Sequence, residues 1–158
     1  MPTLFLTCGL PGAGKTTLAR KVEEQLPALR LTADDWLMDL HPGRTRAELD
    51  ELRESVEQSQ WQVARRALEV GINVVLDWGL WGRDERERYR EEARARRARV
   101  GLCVLDPPIE QLWQRVSQRN AMPDAFHLSR TELEAWDVWF ERPTPNELAS
   151  YDFLIDQS

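Results

Sequence analysis

Gly9-Leu10-Pro11-Gly12-Ala13-Gly14-Lys15-Thr16 satisfies the pattern G-x-x-x-x-G-K-[ST] at every fixed position. Before it, Thr3 to Cys8 is a short, mostly apolar run that reads as a strand. After it, Thr17 to Gln25 is rich in helix formers and contains no glycine or proline. A strand, a glycine turn and a helix start aim several backbone N–H groups and the positive end of a helix dipole at one point, which is what a triphosphate needs. Gly9, Gly12 and Gly14 let the backbone curl with no side chain in the way. Lys15 is expected to reach the β- and γ-phosphates, and the Thr16 hydroxyl to ligate Mg²⁺. Pro11, Ala13 and Thr17 count with them as nucleotide-binding positions. A glycine turn without a ligand is the alternative, and the flanking strand and helix weigh against it.

The rest of the chain alternates strand-like and helix-like segments, which predicts an α/β fold: a parallel sheet covered on both faces. Ala28 to Thr32 reads as the second strand, Ile72 to Asp77 as the third, Val100 to Leu105 as the fourth and Asp152 to Asp156 as the last. A short helix is expected from Asp34 to Leu40, broken by His41-Pro42-Gly43. A capping box at Thr45 and Glu48 opens a helix to about Val70, stopped by Gly71. Arg83 to Arg99 and Ile109 to Asn120 favour helix, and a second capping box at Ser129 and Glu132 opens one to about Glu141. With 158 residues, 42% of them apolar, and no internal boundary, residues 1–158 read as one globular domain.

In such a sheet, ligands sit beyond the carboxyl ends of the strands. The phosphate loop follows the first strand, Asp34-Asp35 the second, and Asp77 ends the third. One edge therefore carries a triphosphate site and three carboxylates. Asp35 is the favoured general base for an acceptor hydroxyl, with Asp34 second. For one of the pair, helix capping is as good a role as catalysis. Asp77 would support the metal shell or the acceptor, or else serve as a strand-end turn acid.

These residues together resemble the kinase-type P-loop family that includes polynucleotide 5′-kinases, chloramphenicol phosphotransferase and zeta toxins. The likeness extends over Arg115-x-x-x-Arg119 and the Leu154-Ile155-Asp156 strand. It implies a three-layer fold with strand order 2-3-1-4-5 and a helical lid at about residues 115–130. It also implies Asp35 at the base position, Arg115 or Arg119 as the lid arginines, and an adenine-contacting loop at Arg142-Pro143-Thr144-Pro145. One departure stands out: polynucleotide kinases follow the paired acids with an arginine for the acceptor phosphate, whereas here Asp35 is followed by Trp36-Leu37-Met38.

Arg115 and Arg119 share a helix face and suit a phosphate clamp, although exposed helix arginines are more often only solvated. Among seven tryptophans, Trp36, Trp78 and Trp81 follow strand ends, where they would stack on an acceptor or simply pack. Trp136 and Trp139 are assigned to core or lid packing. The eight arginines and five acids between Arg83 and Arg99 read as a solvated, ion-paired helix, with Arg83 the member closest to the acceptor site.

The leading expectation is an ATP-dependent kinase acting on a hydroxyl of a nucleoside-like, sugar-like or antibiotic-like small molecule. A kinase for nucleic-acid 5′ hydroxyls comes second, disfavoured by the missing arginine and a net charge of −6. A regulatory ATPase without an acceptor comes third. The two cysteines, Cys8 and Cys103, lie in apolar runs and suit buried thiols in a reducing compartment. No leader or membrane span is evident, so a cytoplasmic monomer or weak homodimer is expected.

Overall fold

The computed structural model describes residues 1–123 and 125–155. Five parallel strands, β1 (Thr3–Gly9), β2 (Ala28–Thr32), β3 (Asn73–Asp77), β4 (Arg99–Leu105) and β5 (Phe153–Leu154), form one sheet in the order β2-β3-β1-β4-β5, as the family resemblance implies. The helices are α1 (Lys15–Gln25), α2 (Ala33–Leu40), α3 (Arg46–Glu69), α4 (Arg83–Ala95), α5 (Ile109–Asn120), α6 (Arg130–Trp139) and α7 (Pro145–Leu148).

Strand alternation sorts the core into two layers. Phe5 and Val75 point to one face, where Ala19 and Val22 of α1 cover them. Leu4, Leu6, Val74 and Leu76 point to the other, against Trp61, Ala64 and Leu68 of α3 and Tyr89 and Ala93 of α4. Both faces are thus closed, and the strands' carboxyl ends are left as the place where a ligand can enter.

Both capping boxes form, each with its serine or threonine accepting from the third helical N–H and the glutamate answering. Several elements differ from expectation. Helix α2 starts at Ala33 with Thr32 as N-cap, so Asp34 and Asp35 lie in its first turn and neither is the cap. Helix α4 stops at Ala95 because Arg97 takes φ 59°, a left-handed turn that feeds Arg99 into β4. Helix α6 ends at Trp139, where Phe140 is extended. The stretch after Pro143 holds the one-turn helix α7, opened by Thr144 with Pro145 at its first position, where a missing N–H costs nothing. Strand β5 is two residues long, and Asp156 of the expected closing strand lies outside the described residues.

Candidate active site

Gly12 (φ 82°) and Gly14 (φ 101°) adopt the left-handed conformations that curl the phosphate loop. Gly9 needs its missing side chain for another reason: a Cβ there would lie 2.5 Å from the Leu105 carbonyl oxygen. Helix α1 begins at Lys15, so the lysine and Thr16 belong to its first turn. The Lys15 ammonium folds back to donate to the Leu10 carbonyl at 2.8 Å. Burial pulls its pKa down to about 8, against the support of Asp77 and then Asp34, while Arg119 lowers it further.

Asp77 is buried at the end of β3 and accepts from the Thr16 hydroxyl at 2.7 Å and the Thr32 hydroxyl at 3.0 Å. Gln60 of α3 extends this network, donating to Thr32 O at 3.0 Å and accepting from the Trp78 indole at 2.8 Å. No cluster of three metal-ligating side chains occurs among the described residues. The Thr16 hydroxyl and Asp77 carboxylate are hard oxygens, so this donor set fits a Mg²⁺ ion completed by phosphate and water oxygens.

Asp34 and Asp35 line a cleft of about 1240 Å³ together with Gly12, Lys15, Thr16 and Asp77. That volume exceeds the roughly 300–1,000 Å³ usual for one small ligand, leaving room for a second. The paired acids are not equivalent. Asp34 is held by Arg53 Nη2 at 2.8 Å, and its charge is the largest after Asp77's in supporting the Lys15 ammonium. Asp35 reaches Arg30 only at 3.4 Å, and the two acids are similarly exposed, Asp34 at 52% and Asp35 at 58%.

On the lid side, Arg115 donates to the Gly12 carbonyl at 3.0 Å, and Arg119 lines the cleft one turn further along α5. Asn120 closes the following loop by bonding both the carbonyl and the N–H of Leu128. Arg46 of α3 then reaches across, donating to Glu132 of α6 and to His127 O, with its guanidinium 5.7 Å over the Trp136 ring. Trp136 stacks at 5.3 Å on Trp81, whose indole donates to Gly9 O at 3.0 Å. The loop after β3 is also tied from beneath. Arg86 is fully buried, pairs with Glu147 of α7 at 2.6 Å and donates to Leu80 O, Trp81 O and Glu141 O. Gly79 O, in turn, accepts from Gly9 N–H at 2.8 Å.

Of the residues expected from sequence, Pro11, Gly12, Ala13, Gly14, Lys15, Thr16, Thr17, Asp34, Asp35, Asp77, Trp78, Trp81, Arg115 and Arg119 line this one cleft. Gly9 lies beneath it. Three others fall elsewhere. Trp36 packs between two apolar clusters, because the face of α2 that carries it turns toward α3. Arg83 is exposed and pairs with Glu87 one turn on, at 2.8 Å. Arg142 bridges Asp106 and Asp137 outside the lining. Trp139, expected to pack, is 66% exposed. Sequence reasoning missed Arg46, Asp50, Arg53 and Glu57, a polar stripe on α3 that faces the cleft, and Glu85 of α4 opposite them. The spacing of that stripe was the available signal.

Comparison with known proteins agrees with this architecture. A family model described as AAA domain matches residues 4–143. The guanylate kinase of Geobacter metallireducens is 25% identical, covering 96% of this chain and 79% of that one. The structure of a putative kinase from Chloroflexus aurantiacus superposes with a TM-score of 0.75 at 18% identity, covering 99% of this chain and 89% of that one. Chaetomium thermophilum Kti12, solved with ADP-AlF3, gives 0.67 at 20% identity, with 98% and 89% covered. At these identities the solved structures testify to a shared fold alone.

Proposed function

The chain belongs to the AAA domain family, and from that premise we propose that it is an ATP-dependent kinase that transfers the γ-phosphoryl group to a hydroxyl of a small molecule. The observation that carries this reading is the convergence of Lys15, Asp34 and Arg119 on one cleft with room for two ligands.

When ATP enters, Lys15 leaves the Leu10 carbonyl for the β- and γ-phosphate oxygens. The Thr16 hydroxyl, donating its proton to Asp77, would hold a Mg²⁺ ion through its free lone pair, and the ion would supply charge neutralisation to the phosphates. Asp34, oriented by Arg53, accepts the acceptor's hydroxyl proton. The acceptor oxygen bonds to the γ-phosphorus as the bond to the β–γ bridging oxygen breaks, and ADP leaves with that electron pair. Arg119 and Arg115 meet the charge on the phosphoryl group in flight. This assignment puts Asp34 ahead of Asp35, the reverse of the order expected from the sequence.

A phosphate-bearing acceptor is the second reading. Arg46 and Arg53 in the cleft favour it, but carboxylates already engage both. No helix of the described residues is long and apolar enough to cross a membrane. Buried Cys8 and Cys103 suit a cytoplasmic setting. The test is incubation with Mg·ATP and a panel of hydroxyl compounds, a 5′-hydroxyl oligonucleotide and guanosine monophosphate, with transfer read by mass. Transfer to a small hydroxyl compound that Lys15→Ala abolishes supports the proposal. Steady ATP hydrolysis that no acceptor stimulates overturns it in favour of a regulatory ATPase.

A further inference from the structure

Resting on the kinase reading, we propose that the acceptor half of the cleft selects an aryl amino alcohol: a planar apolar face joined to a hydroxyl and a cationic amine. Past the phosphate loop the cleft lining mixes two kinds of group. Trp78, Trp81, Trp136 and Phe126 are aromatic. The indole N–H groups of Trp78 and Trp81 are engaged by Gln60 and Gly9 O, so these rings present surface rather than hydrogen bonds. Such surface accepts a flat ring.

The charged part of the lining is unevenly compensated. Arg46 is taken by Glu132 and Asp50, and Arg53 by Asp34 and Asp50. Glu57 of α3 and Glu85 of α4 line the same cleft, and neither has an ion pair among the described residues. Both also border an adjoining hollow of about 400 Å³. An anionic acceptor would face these two carboxylates, whereas an ammonium would sit between them and relieve their mutual repulsion. The electrostatics agree. Burial, then Glu85, raises the Glu57 pKa to about 7, against Arg53, with Asp34 and Glu54 adding to the rise. Burial foremost raises Glu85 as well, opposed by Arg88 and Arg86 and by a bond from the Gly82 backbone. A bound cation would reverse the Glu57 shift, so binding near pH 7 should release a proton.

Three probes of one shape but different charge test this: 2-amino-1-phenylethanol, 1-phenyl-1,2-ethanediol and mandelate. Each is titrated into the full chain loaded with Mg²⁺ and a non-hydrolysable ATP analogue, with calorimetry in two buffers of different ionisation heat. The amine should bind about tenfold or more tighter than mandelate, the scale of one charge-assisted bond. It should release a proton at pH 7 and gain affinity as the pH rises from about 6 to 8. Glu57→Gln should abolish both the preference and the proton release, and Glu85→Gln, a second variant should the first misfold, should weaken the preference. Equal binding of all three probes, tighter binding of mandelate, or no binding of any overturns the inference. A separate titration of the analogue into the free protein, together with the transfer assay on the acceptor panel, separates that result from failure of the kinase reading.

Discussion

Arg53, nineteen residues along the chain from Asp34, places a guanidinium nitrogen 2.8 Å from its carboxylate. The acid pair that looks symmetric in sequence is thereby divided: both side chains are about half exposed, but Asp34 is closely paired and supports the Lys15 charge, whereas Asp35 is paired only loosely. Asp34→Asn should therefore reduce the transfer rate by about 10²-fold or more, with ATP affinity unchanged, the usual scale for losing a general base. Asp35→Asn should change it by no more than about threefold, since Asp35 is only loosely oriented, at 3.4 Å from Arg30, and is not among the main charges acting on Lys15. Steady-state kinetics of the two variants side by side decide the assignment, and a larger loss in Asp35→Asn would reverse it.

Burial holds the Lys15 pKa at about 8, below the usual lysine value. Triphosphate oxygens favour its charged form, so nucleotide binding must raise that value. Below about pH 7 the ammonium is already charged and binding should take up no proton through it. Between about pH 8 and 9 uptake should appear, visible as a buffer-dependent heat. Lys15→Ala should remove both the uptake and most of the ATP affinity. Uptake that persists in the variant would refute the assignment.

The two lid arginines should fail differently. Arg119 lies close enough to Lys15 to lower its pKa, so Arg119→Ala should reduce kcat by about 10²-fold or more while leaving the melting temperature in place. Arg115 grips the Gly12 carbonyl at 3.0 Å, so Arg115→Ala should raise KM for ATP by loosening the loop. Identical kinetic profiles in the two variants would contradict this division.

Arg86 and Glu147 have side chains 0% and 1% exposed. Arg86→Met leaves a buried carboxylate alone and should cost about 3–5 kcal/mol of stability. Replacing both members with apolar residues should recover most of that loss. Urea melts of the single and double variants give the comparison, and a single variant as stable as the parent would show that water reaches the site.

The phosphate loop, the capping boxes, the sheet edge and its acids were legible because local rules specify them. The cleft-facing stripe of α3 was not, because the apolar residues Leu49, Leu52 and Val56 dominate the period and the polar stripe runs between them. Arg46 and Arg53 take their roles from Glu132, Trp136 and Asp34, partners on other elements. Arg86 is one of eight arginines in a stretch whose local pattern reads as solvated throughout, and only the packing of α4 against the loop after β3 singles it out. Helix α7 was hidden by prolines, although Pro145 falls at the position where a helix tolerates it. Trp36 was misplaced because a residue following a strand end turns with its helix rather than with the sheet edge.

Glu147 stands sixty-one residues after Arg86. While a ribosome is still producing that interval, the guanidinium has no carboxylate to join it and stays hydrated outside the core. The Leu80 and Trp81 carbonyls are then unheld, and so is the loop that grips Gly9 from both sides. The glycine-rich motif is thus made well before the residues that support it. Nucleotide affinity should therefore not accompany the motif but arrive in one step, when the single turn after Pro145 closes over the arginine.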